Sequence, residues 1–204
     1  MNYLAVDTCG KNLTIVLSYN EKIYNYYDKD CGLRHSVSLM PTIEKLVKEA
    51  NCDFKNLDFI ACVVGAGSFT GIRIGVSTVK ALAFSYSLPV LKLTSFDVLA
   101  YNEKELYKEN VLALIDAGHG GYYAQTFNKG VLGEPKYILK EEVLLLTKTH
   151  KIISADDLVE LPHEKADVLK GLISSVEANK NNVSKDLEIL VPLYVRKSQA
   201  EEGR

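Results

Sequence analysis

An α/β fold built from two related halves is predicted by three features of the sequence. Three strand-like runs open the chain, joined by tight turns. Helical and strand-like runs then alternate as far as Tyr107. Finally, the opening pattern of strand, Asp, turn and strand returns at Asp116, in a second half that is shorter and less regular.

Each element follows from local chemistry. Tyr3 to Val6 is an apolar run that ends at Asp7, and Thr8 to Asn12 is a turn. Leu13 to Ser18 is rich in β-branched residues, Tyr19 to Glu21 turns again, and Lys22 to Tyr27 is a third strand. Strands with such short connections form an antiparallel meander. Leu39, Ile43, Leu46 and Ala50 recur at helical spacing within Ser36 to Ala50, with Met40 and Val47 widening the stripe. Ser38 is the expected cap, with Pro41 in the first turn. Phe59 to Val64 is continuously apolar, as in a strand covered on both faces. After a glycine-rich loop, a second helix runs from about Ile72 to Tyr86, a fifth strand from Leu88 to Leu93, and a third helix from Ser95 to Tyr107. The order βββαβαβα is that of one half of the actin-like (ASKHA), ribonuclease-H-like fold. Two domains are expected, residues 1–107 and a reduced 108–204, whose last residues pack back on the first.

In the second half, Val111 to Ile115, Tyr122 to Phe127, Tyr137 to Leu139 and Lys151 to Ser154 are expected strands. Asp156 to Leu158 and Glu164 to Leu172 are expected short helices, and Val176 to Asp186 a polar loop. The repeat of strand-Asp-turn-strand is a faint internal duplication.

The 204 residues are 47% apolar and 25% charged, so a packed core is expected. A net charge of −2 argues against unaided nucleic-acid binding, which needs a basic face. The N-terminus has no basic, apolar and cleavage-site regions in series, and no stretch reaches the roughly 18 apolar residues of a membrane helix. A cytoplasmic protein with no membrane partner is expected. Cys9, Cys31, Cys52 and Cys62 form no C-x-x-C pair and read as small buried hydrophobes. Cys9, beside an aspartate in a turn, is singled out.

Asp7 and Thr8 stand where actin-like ATPases hold phosphate, and Asp116 and Gly118 form the matching turn of the second half. As bare patterns, both are equally ordinary turn chemistry. The loop Gly65 to Gly71 lies between a buried strand and a helix, a place that suits anions. It lacks the Lys of a P-loop, and its G-x-G-x-x-x-G spacing misses the dinucleotide fingerprint. The second helix is apolar nearly all round, which fits either burial within its own domain or sharing with a partner. The four histidines are far apart in sequence, and no G-x-S-x-G elbow exists. No catalytic, metal or cofactor residues are assigned.

Three stretches carry a family resemblance. They are Ala5-Val6-Asp7-Thr8; His35-Ser36 with Leu39 and Pro41; and the run from Gly65 to Gly75 with Ala81-Leu82-Ala83 and Leu88-Pro89-Val90. Together they resemble the TsaB (YeaZ) family. Within the run, Gly65, Gly67, Ser68, Thr70, Gly71 and Arg73 carry the signature. Weaker likenesses lie at Leu114 to Ala117, Tyr123-Ala124 and Pro192 to Arg196. The resemblance implies a non-catalytic subunit for threonylcarbamoyladenosine formation in tRNA. It implies a TsaD-like catalytic partner, a TsaE-like ATPase, and tRNA contact only through the complex.

The partner face is expected on the first two helices, at Leu39, Met40, Ile43, Leu46, Val47, Ile72, Gly75, Val76, Val79 and Leu82. The isolated chain is expected to pair with itself there. An ATP-dependent kinase of the same fold, a peptidase and a stand-alone dimerisation module are the alternatives. The glycine-rich Gly118 to Gly121 leaves residual phosphate binding open.

Overall fold

The computed structural model describes residues 1–196. Contacts divide the chain into two compact units. One holds 1–94 and 175–193, the other 95–174 and 194–196.

The first unit is built on a five-stranded sheet in the order β3-β2-β1-β4-β5. β1 (Tyr3–Asp7) pairs antiparallel with β2 (Leu13–Tyr19), which pairs antiparallel with β3 (Lys22–Asp28), as the short turns require. On its other side β1 runs parallel to β4 (Phe59–Val63), and β4 runs parallel to β5 (Val90–Leu93). β1 and β4 are buried along their whole length. Helix α1 (His35–Glu49) packs on β2 and β3, and α2 (Phe69–Tyr86) on β4 and β1. The returning segment bonds to this unit. Val90 and Ser184 exchange backbone hydrogen bonds, and Leu193 N–H donates to Val64 O at 2.7 Å.

The expected start of α1 is corrected. The helix begins at His35, not at a cap on Ser38, so Pro41 lies inside it. A 3-10 turn (Gly32–Arg34) leads straight into α1, anchored by Gly32 N–H on Lys11 O. The buried His35 ring reaches Gly32 O at 2.5 Å and Asn12 O at 3.1 Å. This tertiary anchor starts the helix earlier than its capping residues indicate.

The second unit repeats the sheet. β6 (Asn110–Gly118) is antiparallel to β7 (Gly121–Asn128) and parallel to β10 (Lys151–Ser154). β7 carries β8 (Val131–Leu132) and β9 (Lys136–Leu139), and β11 (Glu164–Lys165) adds to β10 in parallel. Helix α3 (Ser95–Ala100) packs on β6, β7 and β10, and therefore belongs to this sheet. It stops well short of Tyr107. The Asn102 side chain donates to Val98 O at 2.9 Å and accepts from Asp167 N–H at 2.9 Å, which takes the chain out of the helix.

Three further expectations are overturned. Residues 156–158 form no helix, because Asp156 N–H turns back to Ser154 Oγ at 3.1 Å. Glu164–Lys165 is a strand, and the helix after it, α5, spans Val168–Asn179, where polar loop was expected from Val176. Leu172 and Val176, four apart and both buried, carry it onward. Helix α4 (Lys140–Leu146) was not anticipated, since three consecutive leucines blur its period. Val143 is buried in the unit's core with Leu112, Ala124 and Ile138, while Leu144 and Leu145 face solvent.

Candidate functional site

The site grows from the turn that closes β1. Asp7 is buried, and its Oδ1 accepts the Cys9 N–H at 2.8 Å. That bond occupies an amide which a phosphate-binding turn would offer to its ligand. Burial pushes the Asp7 carboxyl above its ordinary range, against the Cys9 bonds and His35, which pull it down. Thr8 is fully buried, and its hydroxyl donates to Gly71 O at 2.7 Å. The Cys9 carbonyl accepts the Ser68 N–H at 2.7 Å, and its thiol donates to Val63 O at 3.2 Å. Cys31 and Cys62 are also buried, and burial raises both thiols.

The glycines of the signature loop serve close approach. A Cβ on Gly67 would lie 2.2 Å from Cys9 O, one on Gly71 2.1 Å from Thr8 O, and one on Gly75 2.3 Å from Thr8 Oγ1. On Gly65, at φ +118°, it would lie 2.6 Å from Leu193 O. At Gly65, Gly67 and Gly71 no other residue type fits without moving backbone, whereas at Gly75 the neighbouring atom belongs to the Thr8 side chain. Ser68 caps α2 by accepting the Gly71 N–H at 3.3 Å. Thr70 and Arg73 point outward, the Arg73 guanidinium lying 5.3 Å from the centre of the Phe69 ring. The loop and the start of α2 therefore fill the space over the turn.

The matching turn is bare. Asp116 Oδ1 accepts the Gly118 N–H at 2.8 Å, the same local bond as at Asp7. Asp116 is exposed, and nothing lies within 4 Å of a Cβ placed on Gly118 or Gly120. Asp156 joins it, its Oδ2 accepting the Asp116 N–H at 2.8 Å. The sequence pattern did not point to Asp156, although it follows β10 as Gly65 follows β4. Among the described residues, no three His, Cys, Asp or Glu side chains gather as metal ligands.

The ten residues expected at a partner face divide sharply. Leu39, Ile43, Leu46, Ile72, Gly75, Val76 and Val79 are buried within the unit itself. Met40, Val47 and Leu82 reach the surface. Beside them stand apolar side chains that the expected partner face did not include. Val37 is 68% exposed and Phe84 80%, and Ile74 is half-buried. Val37 precedes the cap expected at Ser38, so the stripe of α1 did not include it. α1 and α2 touch each other, so these residues lie on two adjoining helices.

The family model for TsaD, tRNA N6-adenosine threonylcarbamoyltransferase, matches residues 29–148. A Bacillus subtilis protein named tRNA threonylcarbamoyladenosine biosynthesis protein TsaB is 27% identical over 98% of this chain and 96% of its own. The protein of the same name from Buchnera aphidicola subsp. Schizaphis graminum is 28% identical over 59% of this chain and 57% of its own. The solved structure of YeaZ from Pseudomonas aeruginosa superposes with a TM-score of 0.71 at 25% identity, covering 95% of this chain and 99% of that one. The sheet order, the filled turn and these likenesses agree: the chain has the actin-like fold and belongs to the TsaB (YeaZ) family, within the wider family that the threonylcarbamoyltransferase model describes.

Proposed function

We propose that this chain is a non-catalytic subunit that supports a TsaD-type partner in transferring a threonylcarbamoyl group to the adenosine beside the anticodon of tRNA. The observation that carries this reading is the filled turn. Thr8, Gly71 and Gly75 occupy the space where a phosphate would sit on Asp7. A subunit that has closed its phosphate turn keeps the fold for its surfaces.

The docking surface in this proposal is the exposed face of α1 and α2, with Val37, Met40, Val47, Ile74 and Phe84 as its apolar members. Adjoining helices of this kind suit a four-helix contact with an equivalent pair. Alone, the chain pairs with itself through the same face, because exposed apolar patches are unfavourable in water. A TsaE-like ATPase joins the assembly, and tRNA is reached only through it. No described helix is long and apolar enough to cross a membrane.

The test is reconstitution with a TsaD-type subunit, threonylcarbamoyl-adenylate donor and tRNA. Modification should require both proteins, and Ile74→Glu should weaken their association by several kcal/mol through an unpaired carboxylate in the contact. Full modification by the partner alone would sink the proposal. The kinase alternative retains one observation, the open turn at Asp116. Calorimetry with Mg-ATP decides it, and binding tighter than about 100 μM, roughly 5.5 kcal/mol, would favour the kinase.

A further inference from the structure

We propose that Thr8 is a positioning residue for the partner face, and that the closed turn at Asp7 serves as the seat on which α2 stands. This deepens the preceding reading and rests on it for the identity of the face. The seat has three parts. The Thr8 hydroxyl donates to Gly71 O, adding a bond from outside the helix to a carbonyl in its first turn. Gly71 and Gly75 are four residues apart, so both face the turn, at distances no side chain would allow. Gly67 lets Ser68 N–H reach Cys9 O, which fixes where the helix starts.

The consequence lies on the far side of the helix. Arg73, Ser77 and Phe84 are exposed and stand about half a turn round from Gly71 and Gly75. A displacement of α2 at the seat moves them by a similar distance. Helix contacts are made by interdigitating side chains at roughly 8–10 Å between axes, so a shift near an ångström spoils the fit. The geometry also makes a specific double substitution informative. A Cβ on Gly75 would lie 2.3 Å from Thr8 Oγ1 but 3.6 Å from Thr8 Cβ. Removing the hydroxyl therefore makes room for the methyl.

The experiment uses the full chain with a TsaD-type subunit. Calorimetry is run at a temperature where every variant is folded by circular dichroism, so global stability cannot move the Kd. Thr8→Val should raise the Kd at least ~10-fold, while Thr8→Ser, which keeps the donor, should stay within about threefold. Gly75→Ala and Thr8→Ala should each raise the Kd, and the double variant should fall short of the sum of the two, because removing the hydroxyl relieves the clash while its bond to Gly71 O is lost only once, a coupling expected only of residues in contact. The proposal is overturned if Thr8→Val and Gly75→Ala bind as the unaltered chain does. It is equally overturned if Thr8→Ser is as poor as Thr8→Val, or if the two alanine changes simply add. Should Thr8→Val not fold, the serine and double-alanine variants decide. Ile74→Glu is the control for the face itself. If it leaves binding unchanged, the docking face lies elsewhere. Hydrogen exchange of amides 72–76 then judges the seat, which predicts faster exchange in Thr8→Val and not in Thr8→Ser; equal exchange would refute it.

Discussion

Asp7 ends β1 and Asp116 lies two residues before the end of β6, the corresponding strands of two sheets that share the order β3-β2-β1-β4-β5 and β9-β7-β6-β10-β11 once β8, which also pairs with β7, is set aside. Each accepts an N–H from the residue two ahead at 2.8 Å. Yet the first turn is sealed and the second open. The difference comes from the connection after the neighbouring parallel strand. After β4 the chain forms α2, whose glycines bring it down onto the turn. After β10, residues 155–163 contain no helix, and the chain goes directly to β11. The space that α2 fills in one unit is left to solvent in the other. The same local turn is thus a core element or a surface element, according to the connection behind it.

The largest expected effect tests the sealing. Gly71→Ala forces a Cβ to within 2.1 Å of the Thr8 carbonyl, a backbone atom that cannot swing away. A loss of about 3 kcal/mol or more is expected in urea unfolding, the range of severe overpacking. A loss under 1 kcal/mol would mean that α2 is free to ride up and that the turn is not sealed.

Helix α1 comes after β3 and α4 after β9, strands that pair antiparallel with β2 and β7, but α1 has 15 residues and α4 only 7. Leu39→Ala in α1 removes a fully packed side chain and should cost about 2–5 kcal/mol. Leu145→Ala in α4, at a side chain 64% exposed, should stay within ~0.5 kcal/mol. Equal losses would mean that α4 is covered in solution.

The carboxylates give a pH test. Burial raises the Asp7 carboxyl in the folded chain above its value of 3.8 in an open one. Between those two values the folded state holds more protons than the unfolded state, so stability falls as pH rises through the window. Asp7→Asn removes this slope, and its amide oxygen can still accept the Cys9 N–H. The variant should therefore gain on the unaltered chain from about pH 4 upward, until the folded carboxyl has ionised. Asp116→Asn at the exposed turn should change stability by less than ~0.5 kcal/mol. A flat difference curve for Asp7→Asn would show that the turn is wetter than its burial indicates.

Among the glycines, the smaller effect belongs to the open turn. Gly118 has φ +75° and free space around it, so Gly118→Ala meets only backbone strain, about 1 kcal/mol by the same unfolding measurement. A loss as large as that of Gly71→Ala would erase the contrast between the turns.

Much of this was legible in the sequence. The meander was announced by short polar turns between β-rich runs, and β4 by its unbroken apolar run from Phe59. The loop glycines at 65, 67 and 71 pointed to close backbone approach. The sequence could not say what approached, because an anion and a neighbouring turn ask the same of a glycine. The helical stripes of α1 and α2 marked apolar faces correctly but not their partners. Leu39, Ile43 and Val79 lie against the chain's own core, whereas Val37 and Phe84, outside the expected partner face, meet solvent.

By itself, then, the sequence determined the element order of the first unit, the repeat of the Asp turns and the loop glycines that a close approach requires, since these depend on neighbours within a few residues. Where α1 begins, where α3 ends, and whether an Asp turn is sealed or open were decided by tertiary structure alone. Each depends on a group distant along the chain. The His35 ring reaches Asn12 O, Asn102 meets Asp167 N–H, and Gly71 and Gly75 rest on Thr8. Residue spacing constrains local geometry strongly, but it carries almost no information about which distant atoms a fold will bring into contact.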